Sequence, residues 1–133
     1  MASELLLIVE DDEKRRRTLD AFLSPQYHLI FAESVEKAVK QVDSGRLFKI
    51  AIVDWRLPAE DNSLPEPGGG FRVMREISER CPQLPVIVTY SWDTRDTIEK
   101  RLSELKNLKV VRYMEKPLLL DELTSSIQQA LAA

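Results

Sequence analysis

The sequence is poor in the residues that several common site types require. Among its 133 residues are one cysteine, Cys81, and one histidine, His28. A single thiol excludes an internal disulfide and is typical of a reducing compartment. A zinc site built on histidines and a serine–histidine triad both have almost no material here.

The sequence also lacks a long apolar run and an excess of basic charge. The apolar run Leu5–Val9 is too short for a membrane span or a signal-peptide core, and no basic region precedes it. The net charge of -3 disfavours a nucleic-acid footprint. The one basic run, Lys14 to Arg17, is interpreted as a solvated helix face. We therefore expect a cytoplasmic protein without direct contact to nucleic acid or membrane.

Five short, β-rich apolar runs alternate with helical patterns. Three runs, LLLIV, IAIV and VIV, are solidly apolar, which is typical of parallel strands buried on both faces. The alternation predicts one α/β domain over residues 1–133 with right-handed crossovers. The predicted strands are Leu5–Val9, Tyr27–Phe31, Ile50–Val53, Pro85–Thr89 and Lys109–Arg112.

Apolar residues at helical spacing lie between these runs and after the last one. We expect a stripe of Leu19, Phe22 and Leu23 in the first helix and of Val35, Ala38, Val39 and Val42 in the second, with Ser34 as its N-cap. The other stripes are Phe71, Met74 and Ile77; Ile98, Leu102 and Leu105; and Leu120, Leu123, Ile127 and Leu131. Three prolines and three glycines predict a long loop over residues 58–70.

Polar residues gather just after the predicted strands. Glu10 and Asp11 follow the first strand, Asp54 the third, Thr89 ends the fourth, and Lys116 comes shortly after the fifth. In parallel sheets, ligands bind beyond these carboxyl ends. Carboxylates without histidine or thiolate partners favour Mg²⁺, and crowded carboxylates need a cation among them. A lysine and a hydroxyl can hold phosphoryl oxygens, and one carboxylate can attack phosphorus.

Four motifs, LLIVEDD, IVDWRLP, VIVTYS and YMEKP, resemble in order and spacing the signatures of response-regulator receiver domains. The resemblance covers essentially the whole chain. It implies a flavodoxin-like, doubly wound five-stranded parallel sheet in the order 2-1-3-4-5. It also implies a phosphorylation-activated signalling switch served by a histidine kinase or a histidine phosphotransfer protein, with no enzymatic activity beyond its own phosphorylation and dephosphorylation.

The resemblance also assigns roles to individual residues. Asp54 would be the phosphoacceptor. Thr89 and Lys116 would bind the phosphoryl group, Tyr113 would be the switch aromatic, and the Lys116–Pro117 bond is expected to be cis. A homodimer or a downstream protein would use the face formed by the fourth helix, fifth strand and fifth helix. The Mg²⁺ ligands would be Glu10, Asp11, Asp54 and the backbone carbonyl of Arg56.

The sequence departs from the family pattern at two places near this site. Tyr90 stands where the family usually has a small residue, so its phenol either crowds the path to the phosphoryl group or points outward. The loop 59–69 is longer and more acidic than usual, either as a tolerated insertion or as a partner-specific lip. Asp12 and Glu13 are expected to begin the first helix, where its dipole favours negative charge. Trp55 and Trp92 are expected to flank the site.

Three other functions compete with the phosphorylation switch. A receiver-like interaction module without phosphate control is the main alternative. A flavodoxin-like electron carrier is disfavoured because VEDDEKRRR would repel a flavin phosphate, and a haloacid-dehalogenase-type phosphatase because no second aspartate follows Asp54 two positions on. No output domain follows the last helix, so we expect either a stand-alone receiver or part of a longer protein.

Overall fold

The computed structural model describes residues 4–61, 63–66 and 68–132. Within this part of the chain no helix is long and apolar enough to cross a membrane. Strands and helices alternate along the chain: β1 (Leu5–Val9), α1 (Glu13–Leu23), β2 (His28–Ala32), α2 (Val35–Val42), β3 (Ile50–Asp54), α3 (Gly68–Arg80), β4 (Pro85–Tyr90), α4 (Arg95–Leu102), β5 (Lys109–Glu115) and α5 (Leu120–Ala132).

The five strands form one parallel sheet in the order β2-β1-β3-β4-β5. This confirms the predicted fold class and strand order. Alternate residues of the central strands enter two separate apolar clusters, such as Val53 on one face and Ile52 on the other. Helices α2, α3 and α4 contribute to the first cluster and α1 and α5 to the second. The inner strands are solidly apolar because both of their faces are buried.

Side-chain caps fix the starts of the first two helices. The Asp12 carboxylate accepts a hydrogen bond from the Arg15 N–H at 3.0 Å, and the Ser34 hydroxyl accepts one from the Lys37 N–H at 3.2 Å. Both side chains satisfy N–H groups that have no partner inside the helix. The predicted starts of α1 and α2 are therefore confirmed.

Several element boundaries differ from the predicted ones. β2 begins one residue later than predicted, while β3 extends to Asp54 and β5 to Glu115, because pairing with β4 continues as far as Tyr90 opposite Glu115. Leu105 lies beyond the end of α4 and packs against the core from a turn. Phe22 is 40% exposed, so the predicted buried stripe of α1 holds only for Leu19 and Leu23.

The predicted loop over residues 58–70 is shorter in the structure because α3 begins at Gly68. A Cβ atom on Gly70 would lie closer than van der Waals contact to the backbone of Asp54 and Trp55, for example 2.6 Å from the Trp55 carbonyl oxygen. Glycine thus allows the start of α3 to pack directly on the backbone at the end of β3. The other end of the loop is tied to α2, where Pro58 and Ala59 carbonyls accept the first two helical N–H groups.

Candidate functional site

Three carboxylates meet at the carboxyl edge of the sheet. Glu10 and Asp11 follow β1, Asp54 ends β3, and these two strands are neighbours with Val9 opposite Val53. One oxygen from each carboxylate lies within 4.8 Å of the others. Glu10 and Asp54 are only 3% and 4% exposed. Hard oxygen ligands at this spacing suit Mg²⁺, so the donor set fits the cation that the sequence implied.

Lys116 brings a cation to this group from the far end of the chain. Its Nζ donates to Asp54 Oδ2 at 2.6 Å and to Glu10 Oε1 at 3.0 Å, and all three side chains are nearly buried. The Lys116 N–H donates to the Tyr90 carbonyl at 2.7 Å, which anchors the turn after β5. The Lys116–Pro117 peptide bond is cis. One lysine facing three carboxylates leaves an excess of negative charge for a divalent cation.

The first turn of α1 holds Glu10 in place. Its Oε2 accepts from the Asp12 N–H at 3.1 Å and lies 3.4 Å from Arg15 Nη1, while Arg16 Nη1 donates to the Glu10 carbonyl at 2.9 Å. Lys14, Arg15 and Arg17 are exposed, as expected for a solvated helix face, but Arg15 and the partly buried Arg16 also contact Glu10. Their positions, five and six residues after Glu10 at the start of a helix, were the available signal.

Burial and neighbouring negative charge make Asp54 and Asp11 harder to ionise. Burial, and then the nearby charge of Glu10, raise the pKa of Asp54 to about 7, although Lys116 acts in the opposite direction. Burial and Glu10 likewise raise the pKa of Asp11. Desolvation and like charges thus outweigh one lysine, so a divalent cation among the oxygens would favour the ionised forms.

Of the two residues predicted to sense the phosphoryl group, Thr89 lies next to Asp54 and Tyr113 lies on the strand beyond it. Thr89 is opposite Asp54 in the β3–β4 register, and the Trp55 N–H donates to its carbonyl at 2.9 Å. Tyr113 lies on β5 opposite Val88, the residue before Thr89 on β4. Its half-buried ring packs against the core, and the Arg95 guanidinium lies over it at 4.8 Å from the ring centroid. The roles of Thr89 and Tyr113 remain predictions.

Tyr90 is buried in the apolar cluster that also contains Val88 and Ile98. It is 8% exposed, so the alternative in which the phenol points outward into solvent is wrong. The ring lies on the α4 side of the sheet because side chains alternate along β4 and Tyr90 shares its face with Val88. Its effect on phosphoryl access remains a prediction.

The segment after Asp54 contains a contact that the sequence did not suggest. The Arg56 side chain pairs with Asp93, with 3.6 Å between Nε and Oδ2, and so joins this segment to the loop after β4. The role of the Arg56 carbonyl as a metal ligand remains a prediction. Trp55 is buried at 4% exposure beside Asp54, whereas Trp92 is 88% exposed in the loop after β4. In the 59–69 loop, Asn62 and Pro67 lie outside the described residues.

The chain resembles known proteins in sequence and in fold. The sequence model of the family described as response regulator receiver domain matches residues 6–128. Protein PetR of Rhodobacter capsulatus is 29% identical over 94 residues, which cover 71% of this chain and 36% of that protein. The chain thus matches little more than a third of the length of this curated relative.

Solved structures share the fold over nearly the whole chain. A response regulator receiver domain protein from Methanospirillum hungatei has a TM-score of 0.81 at 17% identity, covering 98% of this chain and 95% of its own. The receiver domain of a sensor histidine kinase from Pseudomonas aeruginosa has a TM-score of 0.77 at 21% identity, covering 99% and 100%; that structure has a magnesium ion coordinated in its active-site cleft. A signal receiver domain of an HD domain-containing protein from Pseudomonas fluorescens is 26% identical, with a TM-score of 0.78 and coverage of 98% and 95%.

Proposed function

The chain belongs to the response regulator receiver domain family, and we propose that it accepts a phosphoryl group on Asp54 in a Mg²⁺-dependent reaction. The family is one of phosphorylation-type signalling switches. The observation that carries the proposal is the Asp54 carboxylate, buried beside Glu10 and Asp11 and 2.6 Å from Lys116 Nζ. The donor in this proposal is a phosphohistidine of a kinase or a histidine phosphotransfer protein.

The proposed transfer needs little chemistry from the protein beyond positioning and charge. An Asp54 oxygen attacks phosphorus, the bond from phosphorus to the donor imidazole nitrogen breaks, and an acyl phosphate forms on Asp54. A Mg²⁺ ion bound by Glu10, Asp11, Asp54 and the Arg56 carbonyl would supply positive charge next to the phosphoryl oxygens. Lys116 would then leave its ion pair with Asp54 and donate to a phosphoryl oxygen. Hydrolysis of the acyl phosphate by water would reset the switch, and no activity on other substrates is proposed.

Mass spectrometry tests the acceptor directly. Acetyl phosphate with Mg²⁺ should raise the intact mass by one phosphoryl group in the wild type and in Asp20→Asn, which changes an exposed aspartate on α1. Asp54→Asn should show no gain. An equal gain in Asp54→Asn would move the acceptor to another residue and overturn the proposal.

Mg²⁺ binding tests the proposed metal ligands. Asp11→Ala should weaken Mg²⁺ binding strongly, and Glu10→Gln should weaken it less. An equal Mg²⁺ affinity in the wild type and in Asp11→Ala would refute the metal assignment.

We further propose that phosphorylation shifts a two-state balance through Thr89 and Tyr113. New phosphoryl oxygens would draw the Thr89 hydroxyl toward Asp54, its neighbour in the sheet, and Tyr113 would turn into the space behind β4. A shift from 1:99 to 99:1 needs about 5.5 kcal/mol. Two or three charge-assisted hydrogen bonds at roughly 1.5–3 kcal/mol each, among them those from Lys116 and Thr89, would be enough.

The consequence would be a changed surface formed by α4, β5 and α5, which we propose binds a second copy of the chain or a downstream protein in the cytoplasm. NMR spectra with and without beryllofluoride and Mg²⁺, where beryllofluoride stands in for the phosphoryl group, test this. Shifts should reach Tyr113, Lys100 and Arg112, and Thr89→Ala should suppress them. Shifts confined to Asp11, Asp54 and their immediate neighbours would instead favour an interaction module without phosphate control.

A further inference from the structure

An ion pair joins the two segments that leave the sheet beside the site. The Trp55 N–H donates a hydrogen bond to the Thr89 carbonyl. One residue further along, Arg56 Nε lies 3.6 Å from Asp93 Oδ2. The two side chains are 36% and 25% exposed, yet these two atoms are themselves buried. Among the described residues neither atom has a hydrogen-bond partner. Each of these two buried atoms therefore depends on the opposite charge of the other.

The geometry of this pair makes it sensitive to small movements. A separation of 3.6 Å exceeds the 2.7–3.2 Å typical of an N–H···O hydrogen bond. A contraction of less than about 1 Å would form that bond, and a similar expansion would leave two buried polar atoms without compensation. A shift in the backbone at Arg56 that moved its side chain would therefore change the contact with Asp93.

The backbone around Asp93 is held in an uncommon conformation. Trp92 has a φ of 72°, in the left-handed region that a bulky residue rarely adopts. The Asp93 N–H donates to the Ser91 carbonyl at 2.8 Å and closes the turn around Trp92. The Trp92 ring is 88% exposed, so its own packing does not explain this conformation. Such strain persists where neighbouring contacts hold the chain, and the pair with Arg56 is such a contact.

We propose that Asp93 is a positioning residue that couples Mg²⁺ binding to the loop after β4. By holding the Arg56 side chain, it fixes the orientation of the backbone whose carbonyl is expected to ligate the cation. This inference rests on the proposed function, because it requires a cation among Glu10, Asp11 and Asp54. Coupling between two sites is reciprocal. Since the two are coupled in this proposal, we expect Mg²⁺ binding to change the environment of the loop that contains Trp92.

The first test follows the two tryptophan indole N–H signals by NMR during a Mg²⁺ titration, with Trp92→Phe used for assignment. In the wild type both signals should shift with one binding curve. In Asp93→Asn the Trp55 signal should still shift, while the Trp92 signal stays fixed. A wild-type Trp92 signal that does not respond while Trp55 and the Asp11 amide do would overturn this inference alone. No response at any of them would overturn the proposed Mg²⁺ site itself.

The second test separates positioning from simple charge effects. Asp93→Asn and Arg56→Gln should each weaken Mg²⁺ binding about fivefold, and the double variant should be no weaker than either single variant. A purely electrostatic role would move the two in opposite directions, because one removes a negative charge and the other a positive charge. Glu104 lines a surface cavity together with Asp93, but it pairs with Arg101 and not with Arg56. Glu104→Gln removes a negative charge there and should leave the Mg²⁺ affinity within about twofold. Tighter binding by Arg56→Gln would overturn the proposal.

Discussion

Replacing Asp54 with asparagine should stabilise the metal-free protein, although it destroys the proposed acceptor. The pKa of Asp54 is raised from 3.8 to about 7 by burial and by Glu10, so the folded state disfavours the ionised carboxylate. The folded protein therefore holds a proton on Asp54 more tightly than the unfolded chain does. The stability that this proton contributes is fully present below about pH 4 and is lost as the pH rises through about 7.

The magnitude follows from the same shift. A difference of about three pKa units corresponds to about 4 kcal/mol at pH 8. Asparagine resembles the neutral acid at every pH and does not lose this contribution. We therefore expect Asp54→Asn to exceed the wild type in free energy of unfolding by about 2–4 kcal/mol at pH 8. Between pH 5 and pH 7 the difference should widen by about 1 kcal/mol per pH unit and then level off.

Urea unfolding followed by circular dichroism at several pH values, with a chelator present, measures this difference. Asp20→Asn, on the exposed face of α1, should show a small difference that does not grow with pH. Saturating Mg²⁺ should stabilise the wild type more than Asp54→Asn and so narrow the difference, because a ligand stabilises the state that binds it. A difference that stays constant or shrinks as the pH rises from 5 to 7 would refute the electrostatic reasoning.

Three further variants test, by urea unfolding, a close backbone contact, a buried ion pair and a helix cap. Gly70→Ala should lower the free energy of unfolding by at least about 2 kcal/mol, because its Cβ would overlap the backbone of Asp54 and Trp55. Gly68→Ala should cost nothing, because its Cβ meets nothing within 4 Å. Equal effects of the two variants would contradict the close approach at Gly70. Lys116→Met should lower the free energy of unfolding by about 3 kcal/mol at pH 8 without Mg²⁺, because Glu10 and Asp54 lose their cation, and by less at pH 5. A loss no larger than in Lys40→Met, which changes an exposed lysine, would argue against this. Ser34→Ala should cost about 1 kcal/mol through loss of the α2 cap, and an unchanged midpoint would show that the cap is replaced.

The inner strands and the edge that carries the site could be predicted from local patterns, whereas the strand order was implied by the resemblance to receiver domains. The runs LLLIV and IAIV are apolar on both faces, and this alone indicates inner parallel strands. Carboxyl ends of parallel strands share an edge, so Asp11, Asp54 and Thr89 had to lie near each other once their strands were recognised. The caps Asp12 and Ser34 were also predictable, because a cap depends on residues only three positions apart.

Only the tertiary structure decided how neighbouring elements meet around these residues. Gly69 and Gly70 look like loop residues in sequence, but they lie in the first turn of α3, where a Cβ atom would overlap Leu57 in one case and the backbone of Asp54 and Trp55 in the other. Tyr90 is buried because α4 covers its side of the sheet, and the sequence alone did not reveal that cover. The contact between Arg56 and Asp93 arises from two loops after different strands, and no local pattern encodes it. Sequence periodicity reports which face of an element is buried, whereas contacts between elements depend on distances that only the folded chain sets.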